Sequence, residues 1–181
     1  MKIQETAIPG VLLLIPAKFA DARGAFWETY NERVMQDAGL PTQWKQDNTS
    51  VSAKNVIRGI HYQVTQVQGK LVRVTHGTVF DIVVDLRRSS LTFGRHVGVE
   101  LSEDNGAMLW IPPGFGHGFA VLSERAGFAY KVTDYYSPSG ERTILWNDPK
   151  LAIAWPVPEK DAIISEKDRQ GSRFDSAEVF A

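Results

Sequence analysis

LVRVTHGTVFDIVVDL, Leu71–Leu86, holds two apolar, β-branched runs, Leu71–Thr75 and Thr78–Leu86, separated by Gly77. Runs of this length around a turn residue predict strands rather than helices. Outward from it the pattern repeats at Val11–Ile15, Phe26–Tyr30, Asn55–Gln63, His96–Leu101, Met108–Ile111 and Phe128–Thr133. Turn residues separate the runs: Gly69, Ser89-Ser90, Asp104-Asn105-Gly106, Pro112-Pro113-Gly114 and Ser137-Pro138-Ser139-Gly140. Many short strands with regular turn signals predict an all-β sandwich or barrel. Alternation puts Val97, Val99 and Leu101 on one face of their strand, and Phe128, Tyr130 and Val132 on one face of another. Only two stretches read as helical, one from the candidate cap Asn31 to Ala38 and one after Ser165. The expectation is a jelly-roll barrel with short peripheral helices and room for a small ligand in its mouth.

The 181 residues show no linker, repeat or break in composition, so one domain spanning 1–181 is expected. An apolar fraction of 43% and a mean hydropathy of -0.21 suit a globular chain rather than a disordered one. With a net charge of -1 there is no global field to recruit nucleic acid or an anionic membrane. An anionic ligand must then be held by local Arg and Lys. The chain has no cysteine, which excludes disulfides, thiolate metal sites and a cysteine nucleophile. Val11–Ile15 is too short to span a bilayer and lacks the layout of a signal peptide, so the cytoplasm is the expected location. That run is expected as an edge strand.

Polar residues cluster at a few points. Arg58-Gly59-Ile60-His61-Tyr62-Gln63 reads either as a solvated edge strand or as a site. Strict alternation sets Arg58 and His61 on opposite faces, and a bulge at Gly59 is the device that re-aims one of them. Around His117, the run Ile111–Phe119 reads as a rigid turn entering a strand or as glycine-rich backbone that lets a ligand come close. Asp21-Ala22-Arg23-Gly24 has the form of a turn, and Gln46-Asp47-Asn48-Thr49-Ser50 that of a polar strand. Taken singly, Lys70 is a snorkelling lysine, Tyr130 a core aromatic, and Ser165-Glu166-Lys167-Asp168 a capped helix start.

In chain order these clusters become specific. Asp21-x-Arg23-Gly24, Gln46-x-Asn48, Arg58–Gln63, Gln68-Gly69-Lys70, Phe80-Asp81-x-x-x-Asp85-Leu86-Arg87, Thr92-Phe93-Gly94, Pro112-x-Gly114-Phe115-x-His117-Gly118-Phe119, Tyr130-Lys131, Trp146-Asn147-Asp148-Pro149 and Ser165-x-Lys167-Asp168 resemble the dTDP-4-dehydrorhamnose 3,5-epimerase family. The resemblance covers nearly the whole chain. It implies a cupin-like jelly roll that forms a homodimer, uses no metal or organic cofactor, and inverts C3 and C5 of a 4-keto-6-deoxyhexose carried on dTDP. By the same resemblance, His61 is the base, Asp168 its orienting carboxylate, Lys70 the cation at the ketone oxygen and Tyr130 the opposing acid. Arg23, Phe26 and Glu28 match nucleotide contacts that often reach across from a partner subunit. Gln46, Asn48 and Arg58 match positions that grip the diphosphate and sugar, Tyr136 matches an aromatic near the thymine, and His117 lines the pocket. Val64-Thr65-Gln66-Val67 departs from the family by lacking the prolines common there.

These residue types suit the reaction. Removing a proton beside a ketone creates an enolate, which needs a base working near neutral pH and a preorganised cation at the oxygen. A carboxylate behind the histidine fixes its tautomer. Inversion needs a second proton donor on the opposite face. Three rival readings are a metal-dependent cupin enzyme, a non-catalytic sugar-nucleotide binder, and a relative that epimerises one carbon or isomerises the ketone. The first is disfavoured because His61, His76, His96 and His117 are scattered along the chain.

Overall fold

The computed structural model describes residues 1–181. In chain order the elements are β1 (Lys2–Glu5), β2 (Leu12–Ile15), β3 (Lys18–Asp21), β4 (Gly24–Trp27), α1 (Glu32–Asp37), β5 (Gln46–Ala53), β6 (Val56–Gln63), β7 (Lys70–His76), β8 (Thr78–Asp85), β9 (His96–Ser102), β10 (Met108–Ile111), β11 (Phe115–Val121), β12 (Arg125–Val132), β13 (Glu141–Thr143), β14 (Ile163–Ile164) and α2 (Glu166–Arg169). The two runs flanking Gly77 are both strands, but they enter different sheets. One sheet has the order β1-β2-β10-β7-β12-β5, and the other β13-β6-β11-β8-β9 with β14 added beside β6. The sheets face one another as a jelly roll, and β3–β4 forms a separate hairpin. No helix is long and apolar enough to cross a membrane.

Period-two alternation assigns the interior. Val72 and Val74 of β7, Val79 and Val83 of β8, Phe115 and Phe119 of β11, and Phe128 of β12 share one core between the sheets. The intervening residues face outward and are covered in turn. Ile82 and Val84 pack under Leu151 and Phe174 of the C-terminal segment. Leu71 and Met108 pack with Met35 of α1. This second cover explains why β8 and β11 are buried along most or all of their length.

Asn31 caps α1, its side chain accepting from the backbone N–H groups of Arg33 and Val34, and Ser165 caps α2. Two expectations need correction. Val11–Ile15 is not a sheet edge, because β2 lies between β1 and β10. The edge is β1, a polar strand (KIQE) with no apolar run to announce it. Charged ends of this kind suit an edge exposed to water. The strand expected at Phe26–Tyr30 is displaced to Gly24–Trp27, where it pairs with β3 across the Ala22-Arg23 turn.

The departure from alternation that matters most is on β6. His117 of β11 lies opposite His61, and Phe119 opposite Arg58. Gly118 alone thus faces both Gly59 and Ile60, which is a bulge on β6. Before the bulge Val56 packs on the interior core, whereas after it Ile60 and Tyr62 pack on the outer one. The extra residue shifts the phase, so Arg58 and His61 both face the interior. Gly59 has φ +124, and a Cβ there would lie 2.5 Å from Gly118 Cα. Gly59→Ala is therefore expected to cost about 1–3 kcal/mol from backbone strain alone, with more from the clash. A urea titration measures this; an unchanged midpoint would show that the bulge does not depend on glycine.

Candidate active site

Between the two sheets, at one end, lies a cleft of about 290 Å³. Its lining combines Arg58, His61 and His117 from one sheet with Lys70, Asn48, Ser50 and Tyr130 from the other, and Tyr136 and Glu141 at the rim. The strand phases explain the gathering. Lys70 continues the inward series of Val72 and Val74, His117 that of Phe115 and Phe119, and Tyr130 that of Phe128. Asn48 and Ser50 sit opposite Tyr130 and Phe128 on β5.

His61 is held from behind. Its Nε2 lies 2.6 Å from Asp168 Oδ1. Asp168 is buried, and its other oxygen accepts from Gly59 N–H at 3.4 Å, the amide that the bulge releases from the ladder. Asp168 N–H in turn donates to Ser165 Oγ. The short parallel strand β14 zips onto Val56 and Ile57 of β6 and so delivers α2 to this position. Ser165 caps this helix as expected, and the same turn sets Asp168 against His61. Burial pushes the Asp168 carboxyl up, but bonds from His61, Gly59 and Ser165 outweigh it and hold the group below its ordinary value. His61 Nδ1 makes no hydrogen bond within the chain.

Lys70 Nζ reaches only the His61 carbonyl oxygen, at 3.5 Å. Desolvation pulls its ammonium down to about 8, against the opposing pull of Asp81 and Glu141. Tyr130 approaches from the opposite sheet to His61, and its hydroxyl has no partner within the chain. Burial raises its pKa and keeps the phenol protonated. Arg58 Nε donates to Ser52 Oγ at 3.0 Å. His117 Nε2 faces Asp81 at 2.9 and 3.1 Å, and its ring stacks on Phe128.

Not every expected residue reaches the cleft. Gln46 does not line it; instead its Nε2 donates to Asn48 Oδ1 and its Oε1 accepts from Tyr136 N–H, which ties β5 to the rim. Arg23 and Phe26 lie on the β3–β4 hairpin in a separate shallow hollow, and Glu28 just beyond it bonds Asn31. Arg23 pairs only with Asp21, and Phe26 is 71% exposed. Nowhere do three His, Cys, Asp or Glu side chains converge as a metal-ligand group. Two site residues escaped the sequence reading. Glu141 accepts from Tyr136 Oη at 2.7 Å and pairs with Lys167 of α2; it lies in a three-residue strand with no sequence signal. Asp81 did carry one, as a lone charge inside the apolar run Val79–Val84. The unusual loop after β6 is organised by Gln63, whose Nε2 donates to the Gln66 carbonyl at 2.8 Å and to that of Tyr135 at 3.2 Å.

Barrel and cleft define the class: a cupin-like jelly-roll protein whose mouth is lined by histidine, lysine and tyrosine side chains. Residues 5–176 match the family described as dTDP-4-dehydrorhamnose 3,5-epimerase. The enzyme of that name from Pseudomonas aeruginosa is 54% identical over 181 residues, covering 99% of each chain. A solved dTDP-6-deoxy-D-glucose-3,5-epimerase from Legionella pneumophila, in complex with dTDP-4-keto-L-rhamnose, is 45% identical with a TM-score of 0.94, covering 98% of this chain and 94% of its own. A 3'-monoepimerase from Streptomyces bikiniensis, in complex with dTDP-quinovose, is 29% identical with a TM-score of 0.89, covering 94% and 87%. The chain belongs to the dTDP-4-dehydrorhamnose 3,5-epimerase family.

The Asp168 carboxyl generates a stability prediction. A carboxyl held low in the folded state stabilises it above the unfolded pKa of about 3.9, and that contribution disappears as pH falls through the folded value. Asp168→Asn should lower the urea midpoint at pH 7, and its deficit against the parent should shrink below pH about 4. A deficit that does not change with pH would mean that the carboxylate charge contributes nothing to folding.

Proposed function

We propose that this chain converts dTDP-4-dehydro-6-deoxy-D-glucose to dTDP-4-dehydro-L-rhamnose by inverting C3 and C5. The observation that carries the reading is the opposition across the cleft: His61 with its aspartate on one sheet, and Tyr130 on the other with Lys70 beside it. Asp168 keeps the His61 proton on Nε2, which leaves the Nδ1 lone pair to take the proton from carbon. The electrons of the broken C–H bond move into a C=C bond, and the C4 oxygen becomes an enolate beside the Lys70 ammonium. Tyr130 then gives its hydroxyl proton to the opposite face of the carbon, the enolate collapses to the ketone, and solvent restores both side chains. Protons are only exchanged, so the reaction needs no redox cofactor. Arg58 and Asn48 grip the diphosphate and sugar, and Tyr136 packs near the base; this remote binding energy serves to orient the reacting carbons.

The same reading makes the protein a cytoplasmic homodimer of single jelly-roll domains. Supporting this, Arg23, Phe26 and Glu28 serve no function in their own cleft, and Phe19 and Phe26 leave two aromatic rings in water on one hairpin. A twofold partner that received the hairpin would bury them and complete its own site. Light scattering at micromolar concentration should give twice the chain mass, whereas a fully active monomer would refute the dimer.

The chemistry is tested by following hydrogen exchange and product configuration together in deuterated water. His61→Asn should abolish both inversion and solvent exchange at C3 and C5. Tyr130→Phe should lose inversion while exchange persists, because abstraction survives and the proton returns to the face it left. Losses of about 10²–10⁴-fold are expected for an acid or base group. If Tyr130→Phe loses exchange as completely as His61→Asn, while staying folded and still binding dTDP, the two-faced mechanism is wrong.

A further inference from the structure

Asp81 is the anomaly inside this barrel. It lies on β8 between Val79 and Val83 and shares their inward phase, with no exposure to water. Other buried carboxylates are well satisfied. Asp85 accepts from Arg87, Ser90 and Thr92, and Asp148 from the backbone N–H groups of Lys150, Leu151 and Phe174. Asp81 accepts only from His117 Nε2. An ionised carboxylate offers about four lone-pair sites, and leaving most of them empty in an apolar interior is costly. The fold retains this cost beneath the cleft, where a departure from local optimisation points to function.

Lys70 shows the complementary deficiency. Its ammonium is half-buried, bonds only one carbonyl oxygen, and has no carboxylate within salt-bridge distance. It shares the interior with Asp81. Its Nζ sits at the backbone of His61, His61 pairs in register with His117, and His117 contacts Asp81. We infer that Asp81, held in place by His117, is the buried countercharge that keeps Lys70 in its ammonium form, so that both are positioning residues for the enolate-stabilising cation. The inference rests on the role proposed above for Lys70.

The spacing has a chemical rationale. A carboxylate in contact with Nζ would occupy the N–H groups that the ketone oxygen needs and would neutralise the charge offered to the enolate. A carboxylate held at one remove sustains the charge and leaves the N–H groups free. The groups facing Lys70 are His61 on β6, Asp81 on β8, His117 on β11, Tyr130 on β12 and Glu141 on β13. Of these only Asp81 and Glu141 carry negative charge, and Asp81 exerts the larger upward pull against desolvation. Burial pushes the Asp81 carboxyl itself upward, with His117 and Lys70 drawing it back.

The test reads Lys70 directly. Competitive labelling with acetic anhydride, followed by mass spectrometry across a pH series without substrate, gives the titration midpoint of Lys70. In the parent it should lie near 8. Asp81→Asn keeps an acceptor for His117 but removes the charge. It should lower the midpoint by about 1 unit, and the alkaline limb of kcat/KM should move down with it, for a loss of about fivefold at the parent midpoint that approaches about tenfold at higher pH. Asp81→Ser removes the same charge with a smaller side chain and serves if the asparagine variant does not fold. A merely structural Asp81 would lower the melting temperature and leave the labelling midpoint in place, which overturns the inference. Lys70→Met separates the two readings. Retained epimerisation in that variant would overturn the enolate role of Lys70, while an unmoved Lys70 midpoint in the Asp81 variant overturns the countercharge alone.

Discussion

A single inserted residue on β6 sets the phase on which the site depends. Side chains on a strand alternate, so Arg58 and His61 belong to opposite faces of any regular strand. The bulge at Gly59-Ile60 adds one residue against Gly118 and brings both into the interior. It also releases the Gly59 N–H from the ladder, and that amide donates to the carboxylate that holds His61. One irregularity therefore re-aims a histidine, retains an arginine and helps to position the aspartate that bonds the histidine. Glycine is required because φ is positive and a Cβ would meet the Gly118 backbone. β-bulges often serve active sites in this way.

The rest of the barrel converts that phase into an opposition of side chains. Two sheets facing each other give a cleft with two walls, the arrangement that the proposed proton transfer on two faces requires. His61 and Tyr130 stand on opposite sheets because β6 and β12 do. Lys70 enters beside Tyr130 because β7 is the neighbour of β12, with Lys70 opposite Val132. The C-terminal segment closes the outer side of one sheet, and its helix α2 supplies both Asp168 and Lys167, the latter pinning Glu141 at the rim. The same segment thus completes the outer core and orients two of the carboxylates of the cleft.

The comparisons separate what the fold specifies from what the cleft specifies. A 3'-monoepimerase shares this architecture at a TM-score of 0.89, so the barrel itself does not set how many carbons are inverted. Closer likeness, 54% identity over the full length, lies with an enzyme named for inversion at both carbons.

The sequence by itself determined the all-β class, the two capped helices and several of the residues that line the cleft, His61, Lys70, His117 and Tyr130 among them. Those properties follow from local signals: β-branched runs, glycine and proline punctuation, and the string Arg58–Gln63 with Lys70 close behind. Strand order was not legible, since pairing joins residues distant in the chain and leaves no local trace. For that reason β1 carried no signal and β2 read as an edge, and for the same reason β7 and β8 look like one hairpin yet enter different sheets. Glu141 acquires its place only when β13 pairs with β6, and Asp168 only when β14 does. The hairpin carrying Arg23 and Phe26 shows the same limit at the next level, because its aromatic side chains find no cover within one chain. Local chemistry selected the residues; the long-range pairing of strands decided which of them meet.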